Sequence, residues 1–469
     1  MANGCVPTPR HARLSSPGVR DRHIRLPSPP SVSTFYSLNR QSPTVSFEAA
    51  VLHSLAPDGG LYYPTAFPRF SAAELAALRP QGGDDAALRH AAARAVLGKW
   101  IGAAIPAEAL DRIVADAQSF PWPIRSVGDV HILELFHGPT LAFKDVAART
   151  LAGLLDYFLQ RRGERYLLLV STSGDTGSAI AHGFADRAAI HVVVLYPEGR
   201  ISQLQEAQMT HVAANVTPIA VAGDFDGCQA LVKGALVDPR LAHIPMTAAN
   251  SISMGRLLPQ IIYYLYAWLK LADPPLEVTV PSGNFGNLTA GLFAQQMGVP
   301  LTRWIAATNA NDATVRYAQA GVYAPRPTVQ TLSTAMDVGA PSNFMRILEL
   351  FEHDPAAFRA RIKATSVSDA ETAATIRAVY EAHGYLLCPH TAVGWRAVQR
   401  CGDPAAEPLL LATASPLKFA AEIRAATGLD VDDRAEIAKW RQRPKRGSRL
   451  ANDPDAFAAQ LQRIAAEVL

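Results

Sequence analysis

The stretch YLLLVSTSGDTGS, residues 166–178, decides the fold class that we predict. Its first five residues are apolar or aromatic, which is typical of a strand that is buried on both faces. A turn rich in glycine and small polar residues follows, and a helical pattern begins at Ser178. An apolar strand, a tight glycine turn and a helix in this order are typical of a parallel sheet covered by helices.

The same arrangement occurs a second time, where the strand Glu277–Val280 precedes the turn PSGNFGN, residues 281–287, and a helix over Leu288–Met297. On either side of both units we predict the strands Ile132–Phe136, Ile190–Leu195, Val216–Ala220 and Leu409–Ala412, and the helices Val146–Arg161, Ser202–His211, Arg256–Leu271, Thr372–His383 and Thr391–Arg400. We therefore predict an α/β fold with two wound parallel-sheet halves that face one cleft.

The first 123 residues follow a different pattern. Residues 1–32 combine five arginines with several prolines and serines and show no apolar periodicity, so we expect a disordered extension and exclude it from the fold. An organelle transit peptide or a start codon placed too early are the alternatives. Residues 33–123 carry four helical segments, over Val45–Leu52, Ala73–Leu78, Asp85–Trp100 and just before Phe120, and predict a small, mostly helical N-terminal domain. Residues 124–469 then form two α/β subdomains.

Composition excludes several classes of protein. The chain has 469 residues, 49% of them apolar, which suffices for large cores and exceeds one ordinary domain. Its net charge is +3 with both signs interleaved, so we expect no nucleic-acid partner. The four cysteines are scattered, which indicates neither disulfides nor a metal site and favours a reducing cytoplasm. No run of eighteen apolar residues occurs, so we expect no membrane span.

A lysine in an apolar run is the first candidate for chemistry. Lys144 lies in HGPTLAFKD, residues 137–145, and only eight of the chain's 44 basic residues are lysines. A buried lysine loses solvation and its pKa falls, so that its amine becomes the nucleophile and base that a Schiff-base lysine must be. Alternatively, the lysine starts a helix, with its stem packed on apolar neighbours and its amine in water.

The two glycine-rich turns, residues 171–178 and 281–287, are candidate anion sites. Small residues let the backbone approach a ligand closely, and the following helix N-terminus presents free N–H groups to an anion. Neither turn matches a Walker loop or the spacing GxGxxG. The alternative is an ordinary βα connection in which Gly supplies a positive φ and Ser or Asn caps the helix.

Two further polar segments lie at the ends of predicted elements. NSISMGR, residues 250–256, opens a long helix, and because a cation at a helix start is disfavoured, Arg256 favours an anionic partner. A capping Asn or Ser with a solvated arginine is the alternative. In LATASPLKF, residues 411–419, Thr413 ends a strand at the sheet edge where ligands of open α/β folds bind.

These four segments, in this order, resemble the threonine synthases, a family of pyridoxal-phosphate enzymes of the tryptophan-synthase-β structural class. HGPTLAFKD is similar to the family's cofactor-lysine motif, STSGDTGSA to its substrate-carboxylate loop, PSGNFGN to its cofactor-phosphate loop and LATASPLKF to the segment that faces the pyridine nitrogen. FYS, VSFEAAVLHSLAPDGGLYYP, NSISMGRLLPQIIYY, MDVGAPSNFMR and CPHTAVGW are also similar, so the resemblance runs from residue 33 to the C-terminus. The N-terminal segment resembles the microbial and fungal type.

The resemblance implies a lyase that uses pyridoxal 5'-phosphate to convert O-phospho-L-homoserine and water to L-threonine and phosphate, the last step of threonine biosynthesis. Lys144 would carry the cofactor as a Schiff base and shuttle protons. The implied cofactor ligands are Asn250, Gly283, Asn284, Phe285, Gly286, Asn287 and Thr413. The implied substrate ligands are Ser173, Gly174, Asp175, Thr176 and Gly177 for the carboxylate and Arg256 for the phosphate. We expect a cytoplasmic monomer or homodimer that acts on this small molecule and on no membrane.

Three segments depart from the family's common pattern. Leu38 follows FYS where a threonine is common, Ser253 opens a Ser-Met-Gly in place of Asn-Trp-Ala, and Ser415 stands where His-Pro-Ala-Lys-Phe has its histidine. The Ser415 change puts any role of a histidine there in doubt. The rival functions are an ammonia-lyase with the same cofactor, which binds no phosphorylated substrate, and a non-catalytic relative, which the intact Lys144 opposes. A kinase is opposed by the absence of a Walker lysine.

Overall fold

The computed structural model describes residues 33–79, 83–271 and 275–469, and the predicted extension over residues 1–32 lies outside them. The N-terminal part consists of β1 (Thr34–Ser37), β2 (Val45–Ser46), α1 (Phe47–His53), β3 (Tyr62–Pro64), α2 (Ala72–Ala77), α3 (Asp85–Ile101) and α4 (Ala107–Ala117). It is mostly helical, as predicted, but its strands also form a small antiparallel sheet in the order β2-β1-β3.

Short polar residues fix where the N-terminal helices begin. The Ser46 side chain accepts from the Ala49 amide and caps α1, and Ser71 forms a capping box with Glu74 at the start of α2. The helical pattern from Val45 therefore yields a helix only from Phe47, because Val45 pairs with β1.

Strands and helices alternate through the rest of the chain. Residues 124–271 form β4 (Ile124–Val127), β5 (Val130–Glu134), α5 (Lys144–Arg162), β6 (Tyr166–Ser171), α6 (Asp175–Gly183), β7 (Ile190–Pro197), α7 (Gln203–Thr210), β8 (Val216–Ala222), α8 (Phe225–Val237), β9 (Met246–Ala248), α9 (Met254–Leu257) and α10 (Ile261–Leu271). Residues 275–469 form β10 (Leu276–Pro281), α11 (Gly286–Gln296), β11 (Arg303–Thr308), α12 (Ala313–Ala320), α13 (Phe344–Leu350), α14 (Pro355–Arg361), β12 (Ile362–Ser366), α15 (Asp369–His383), α16 (Pro389–Cys401), β13 (Glu407–Ala412), α17 (Ala420–Thr427), α18 (Arg434–Arg441), β14 (Ser448–Ala451) and α19 (Pro454–Val468).

Two separate sheets confirm the predicted wound halves. One has six strands in the order β12-β11-β10-β13-β5-β4, and the other has five in the order β14-β8-β7-β6-β9. The pairings are parallel except that β4 runs antiparallel to β5. This exception follows from the connection Gly128-Asp129, because a two-residue link permits a hairpin and no crossover.

Two helices differ from their predicted extent. The predicted helix Arg256–Leu271 is divided into α9 and α10 by a 3₁₀ turn over Leu258–Gln260. Pro259 explains the interruption, since it lacks the N–H that a continuous α-helix needs. Helix α6 begins at Asp175 instead of Ser178, which places the aspartate in its first turn, where a negative charge is favoured.

One continuous apolar core joins the N-terminal part to the two sheets. It includes Trp100 and Phe47 from the N-terminal helices, Leu151 from α5 and the apolar residues of α10. Within residues 33–79, 83–271 and 275–469, no helix is long and apolar enough to cross a membrane. The same residues contain no group of three or more His, Cys, Asp or Glu that could hold a metal ion.

Candidate active site

A cleft of about 580 Å³ lies at the carboxyl ends of β6, β10 and β13. The N-terminal part, α8 and residues 335–353 also contribute to its walls. The residues of the predicted site that line it are Lys144, Ser173, Asp175, Thr176, Asn250, Arg256, Gly283, Asn284, Phe285, Gly286, Asn287 and Thr413. Two predicted residues, Gly174 and Gly177, are not among the cleft residues.

Lys144 is the first residue of α5, and its amine reaches the cleft. Its side chain is 16% exposed, and burial lowers its pKa to about 8, although Asp175 opposes the shift. The preceding backbone is fixed on two sides, because the Phe143 amide donates to the Thr413 carbonyl at 2.9 Å and the Tyr263 hydroxyl donates to the Phe143 carbonyl at 2.7 Å. A fraction of the amine is thus neutral near pH 7, as a nucleophile or base requires.

The turn after β10 is built to bring free amides into the cleft. Phe285 has a left-handed backbone with φ 60°, and α11 starts directly after it. In the described part of the chain, the amides of Gly286 and Asn287 donate to no acceptor, as is usual for the first turn of a helix. These amides and the positive end of the helix dipole form a cradle for a phosphate.

Two asparagines tie this turn to its surroundings. The Asn284 amide group donates to the Ser251 hydroxyl at 2.6 Å, and its oxygen accepts from the Ser342 amide at 2.5 Å. The Asn287 oxygen accepts from the Tyr264 hydroxyl at 2.7 Å, whereas its Nδ2 is buried without a partner among the described residues. An unpaired buried donor at the cleft is a position for an acceptor on a ligand.

Gly283→Ala should weaken cofactor binding. A Cβ at this position would lie 2.6 Å from the Met336 Cα and 3.1 Å from the Ala335 carbonyl oxygen, and since both are backbone atoms the turn would have to move. Overpacking of about 1–3 kcal/mol predicts a rise of about tenfold in the Kd for pyridoxal phosphate, measured by titrating the cofactor-free chain. Gly234→Ala is the matched control, because a Cβ there meets nothing within 4 Å. Equal Kd values for both variants would contradict the cradle.

The turn after β6 is held from within by a threonine that was not among the predicted site residues. The Thr172 hydroxyl accepts from the amides of Gly174 and Gly177, each at 2.9 Å. A Cβ on Gly174 would collide with Gln205, and one on Gly177 would collide with Thr172 itself. The two glycines therefore serve the packing of the turn, and their amides are not free to bind a carboxylate.

The remaining side chains of this turn differ in character. Ser173 and Thr176 line the cleft with neutral hydroxyls. Asp175 is 3% exposed, and its carboxylate lies 3.8 Å from the Lys144 amine and 3.0 Å from the Lys418 amine. The hydroxyls suit an incoming carboxylate, whereas the Asp175 carboxylate would repel one.

Arg256 is a buried cation that has no acidic partner among the described residues. It is 2% exposed, and its Nη1 donates to the Ala249 carbonyl at 2.7 Å, while its Nε has no partner among the described residues. Burial lowers its pKa to about 10. Asn250 also lines the cleft with a buried, unpaired Oδ1. A buried guanidinium that lacks an acidic partner among the described residues indicates an anionic ligand, because burying an uncompensated charge is costly.

Thr413 directly follows β13, and its side-chain hydroxyl has no partner among the described residues. Ser415 is buried away from the cleft, where its hydroxyl accepts from the Leu417 amide at 3.3 Å. Ser415 therefore caps a turn. His390 lines the cleft instead, although the sequence argument gave it no role. Burial lowers the pKa of His390 to about 4, and its Nε2 accepts from the Ala335 amide at 3.1 Å.

Three residues on one face of α8 line the cleft, although they were not predicted as site residues. Phe225, Gln229 and Lys233 follow each other at intervals of four residues, so they share one helical face, and all three line the cleft. The spacing is visible in the sequence, but only the fold shows that this face turns towards the cleft. In the described chain, Lys233 forms no ion pair.

The residues present fit pyridoxal phosphate. Lys144 supplies a buried amine, the turn after β10 supplies free amides for a phosphate, and Thr413 supplies a neutral hydroxyl. The unpaired atoms of Asn250 and Asn287 supply an acceptor and a donor.

Comparison with known proteins agrees with this fit. Three family models match the chain, one described as pyridoxal-phosphate dependent enzyme over residues 125–411, one as threonine synthase N terminus over residues 34–118 and one as threonine synthase, C-terminal, over residues 391–460. The threonine synthase of Escherichia coli K12 is 41% identical over 430 residues, which cover 90% of this chain and 97% of that protein.

Solved structures give the same result. The crystal structure of pyridoxal-phosphate-bound threonine synthase from Brucella melitensis superposes with a TM-score of 0.85 at 36% identity and covers 92% of this chain and 99% of that one. The yeast threonine synthase structure superposes with a TM-score of 0.82 at 32% identity and covers 92% of this chain and 99% of its own.

Proposed function

The chain belongs to the threonine synthase family, and from that premise we propose that Lys144 holds pyridoxal phosphate as a Schiff base while O-phospho-L-homoserine and water become L-threonine and phosphate. The family makes it a pyridoxal-phosphate-dependent lyase of amino-acid biosynthesis, and the reaction is the last step to threonine. The observation that carries the residue assignment is the Lys144 amine, which lies in one cleft with an amide cradle and with Arg256, a buried cation that has no acidic partner among the described residues.

Lys144 is the acid and base of the proposed reaction. When bound, the cofactor acts as an electron sink for the substrate's amino acid carbons and so makes their protons acidic. With the cofactor held at Lys144, the freed Lys144 amine would accept the Cα proton, help to remove a proton from Cβ, and return protons to Cγ and Cα after the phosphate has left. Its pKa of about 8 lies close to working pH, where proton transfer in both directions is efficient.

The cofactor is positioned by three groups of residues. The turn from Gly283 to Asn287 would hold its phosphate through backbone amides. Asn250 and Thr413 both line the cleft, where Asn250 would contact the ring and the Thr413 hydroxyl would face the pyridine nitrogen. A neutral hydroxyl at that position would leave the nitrogen unprotonated, whereas a carboxylate would keep it charged.

The substrate is held at both ends. Arg256 binds the phosphate that leaves from Cγ, since a guanidinium matches phosphate oxygens with two parallel donors. Within the turn from Ser173 to Gly177, the hydroxyls of Ser173 and Thr176 receive the carboxylate. Water must add at Cβ only after the phosphate has left. Residues of the N-terminal part line the cleft, so a movement of this part towards the sheets would exclude water until then.

The proposal includes the compartment, the oligomeric state and the partners of the enzyme. We place the chain in the cytoplasm, as a monomer or homodimer that acts on a small molecule and on no nucleic acid. The three described cysteines are free thiols, which fits a reducing compartment.

The experiment that tests the function offers the purified chain O-phospho-L-homoserine, L-threonine and L-serine separately and measures phosphate and ammonia. We expect phosphate from the first substrate and no ammonia from the other two. Ammonia from serine or threonine without phosphate release would favour the ammonia-lyase. A protein that keeps its cofactor but turns over none of the three would be the non-catalytic relative.

A further inference from the structure

A second buried lysine lies next to the proposed catalytic lysine. Lys418 is 0% exposed. Its amine donates to the Thr140 carbonyl at 2.7 Å and to the Gln208 Oε1 at 3.0 Å, and lies 3.0 Å from the Asp175 Oδ1. The other oxygen of Asp175 lies 3.8 Å from the Lys144 amine. Lys144, Asp175 and Lys418 thus form a buried array in which one carboxylate lies between two ammonium groups.

The Asp175 carboxylate already has hydrogen-bond and ion-pair partners within the protein. The Gln205 amide group donates to the same Asp175 oxygen that faces Lys418, at 2.9 Å. Asp175 also stands in the first turn of α6, where the helix dipole favours a negative charge. Burial alone would raise the pKa of Asp175, but Lys418 and Lys144 hold it well below its usual range. A side chain that stays anionic here cannot receive the substrate's carboxylate.

We propose that Asp175 and Lys418 are positioning residues that set the direction and the protonation of the Lys144 amine, an inference that rests on the proposed function of Lys144. Lys418 holds one oxygen of Asp175 at hydrogen-bonding distance, so that only the second, more distant oxygen faces Lys144. The carboxylate orients the amine without locking it as an ammonium ion, and the charge of Lys418 favours release of its proton.

The groups around Lys144 act on its pKa in opposite directions, as this proposal requires. Asp175 faces the amine from α6, Arg256 from α9, His390 from α16 and Lys418 from the segment after β13. Burial lowers the pKa of Lys144, Asp175 raises it, and Arg256 and Lys418 lower it further. With its pKa near 4, His390 is neutral at working pH and adds no charge.

Two other titratable groups border the array without facing the amine directly. Tyr263 acts on Arg256, and burial raises its pKa well above the usual value, so it stays neutral. Asp145 faces Lys418, and its carboxylate is bound by the Thr140 amide at 2.9 Å and by the Thr140 hydroxyl at 2.5 Å. Among the described carboxylates near the array, Asp175 is the one that faces Lys144.

The test measures the reactivity of the Lys144 amine in the full-length, cofactor-free chain. The amine is labelled with acetic anhydride between pH 6 and 10, and the labelled fraction is read by mass spectrometry. Lys418→Met removes a charge that lowers the Lys144 pKa, so the labelling midpoint should move to higher pH and reactivity at pH 7 should fall by about tenfold for a shift of one unit. Asp175→Asn removes the charge that raises the pKa, so its midpoint should move to lower pH.

The double variant Asp175→Asn, Lys418→Met tests whether the two residues act together. Its midpoint should lie between those of the single variants, because the opposing charges are both gone. Lys439→Met is the matched control, since Lys439 pairs with Glu436 at the surface at 3.1 Å and its loss should leave the midpoint unchanged. In the cofactor-loaded enzyme, the pH profile of kcat should move in the same direction as the labelling midpoint.

An unchanged midpoint in folded Lys418→Met or Asp175→Asn would overturn the proposal. If Lys418→Met does not fold, the nearly isosteric Asp175→Asn decides alone: a lower midpoint supports the proposal, and the parent's midpoint overturns it. Labelling needs no substrate and no turnover, so its outcome is separate from that of the proposed function. Phosphate release by the parent chain with unmoved midpoints would leave the function intact and remove only this inference.

Discussion

Lys144→Ala should abolish threonine formation, with kcat lower by on the order of 10³-fold or more, since acid–base catalysis alone contributes about 10²–10⁴-fold. The variant loses the amine that carries the cofactor and the base that moves the protons. We expect it to bind pyridoxal phosphate non-covalently through the amide cradle. Borohydride reduction followed by mass spectrometry should therefore find the cofactor attached at Lys144 in the parent chain and nowhere in the variant.

Lys439→Ala is the control for this variant. It also removes a lysine, but Lys439 is exposed and pairs with Glu436 at the surface. It should retain the parent's activity and its reducible linkage. A Lys144→Ala protein that still forms a reducible linkage, or still releases phosphate at a rate close to the parent's, would contradict the assignment of Lys144.

Arg256→Met should reduce kcat/KM for O-phospho-L-homoserine by on the order of 10²-fold, because hydrogen bonds to charged groups contribute about 1.5–3 kcal/mol each. The guanidinium faces the cleft with an unpaired Nε and no acidic partner in the described chain. The loss should appear as weaker binding of the phosphorylated substrate and of inorganic phosphate.

The thermal stability of Arg256→Met distinguishes a role of Arg256 in phosphate binding from a structural role. Removing a buried cation that lacks a counter-ion should leave the thermal midpoint of the ligand-free chain unchanged or higher. Arg89→Met is the control, since Arg89 is buried in α3 with an unpaired Nε and is not among the cleft residues. It should leave kcat/KM unchanged. A lower thermal midpoint with an unchanged KM in Arg256→Met would contradict the phosphate assignment.

The sequence predicted the parts of the fold that depend on local pattern. Apolar strands followed by glycine turns identified the two parallel sheets, and the order of four motifs identified the family. The antiparallel edge strand β4 depends on the short link at Gly128, which the pattern of apolar residues does not express. The interruption at Pro259 was visible in the sequence but was outweighed by the helical spacing around it.

The candidate site was predicted less completely, because residue roles depend on contacts between distant segments. Gly174 and Gly177 occur in the substrate motif, but the hydroxyl of Thr172 already binds their amides. Asp175 belongs to the same motif. Its different role becomes visible only in the structure, where it lies between Lys144 and Lys418 from other parts of the chain. His390 has no sequence signal of its own beyond its place in CPHTAVGW.

The central claim is that this cleft releases phosphate and captures water at Cβ in the same turnover. The most direct measurement incubates the cofactor-loaded chain with O-phospho-L-homoserine and quantifies threonine and phosphate in the same tube. We expect equal amounts of threonine and phosphate. Phosphate accompanied by 2-oxobutyrate and ammonia in place of threonine would contradict it, because the cofactor chemistry would then proceed without the capture of water.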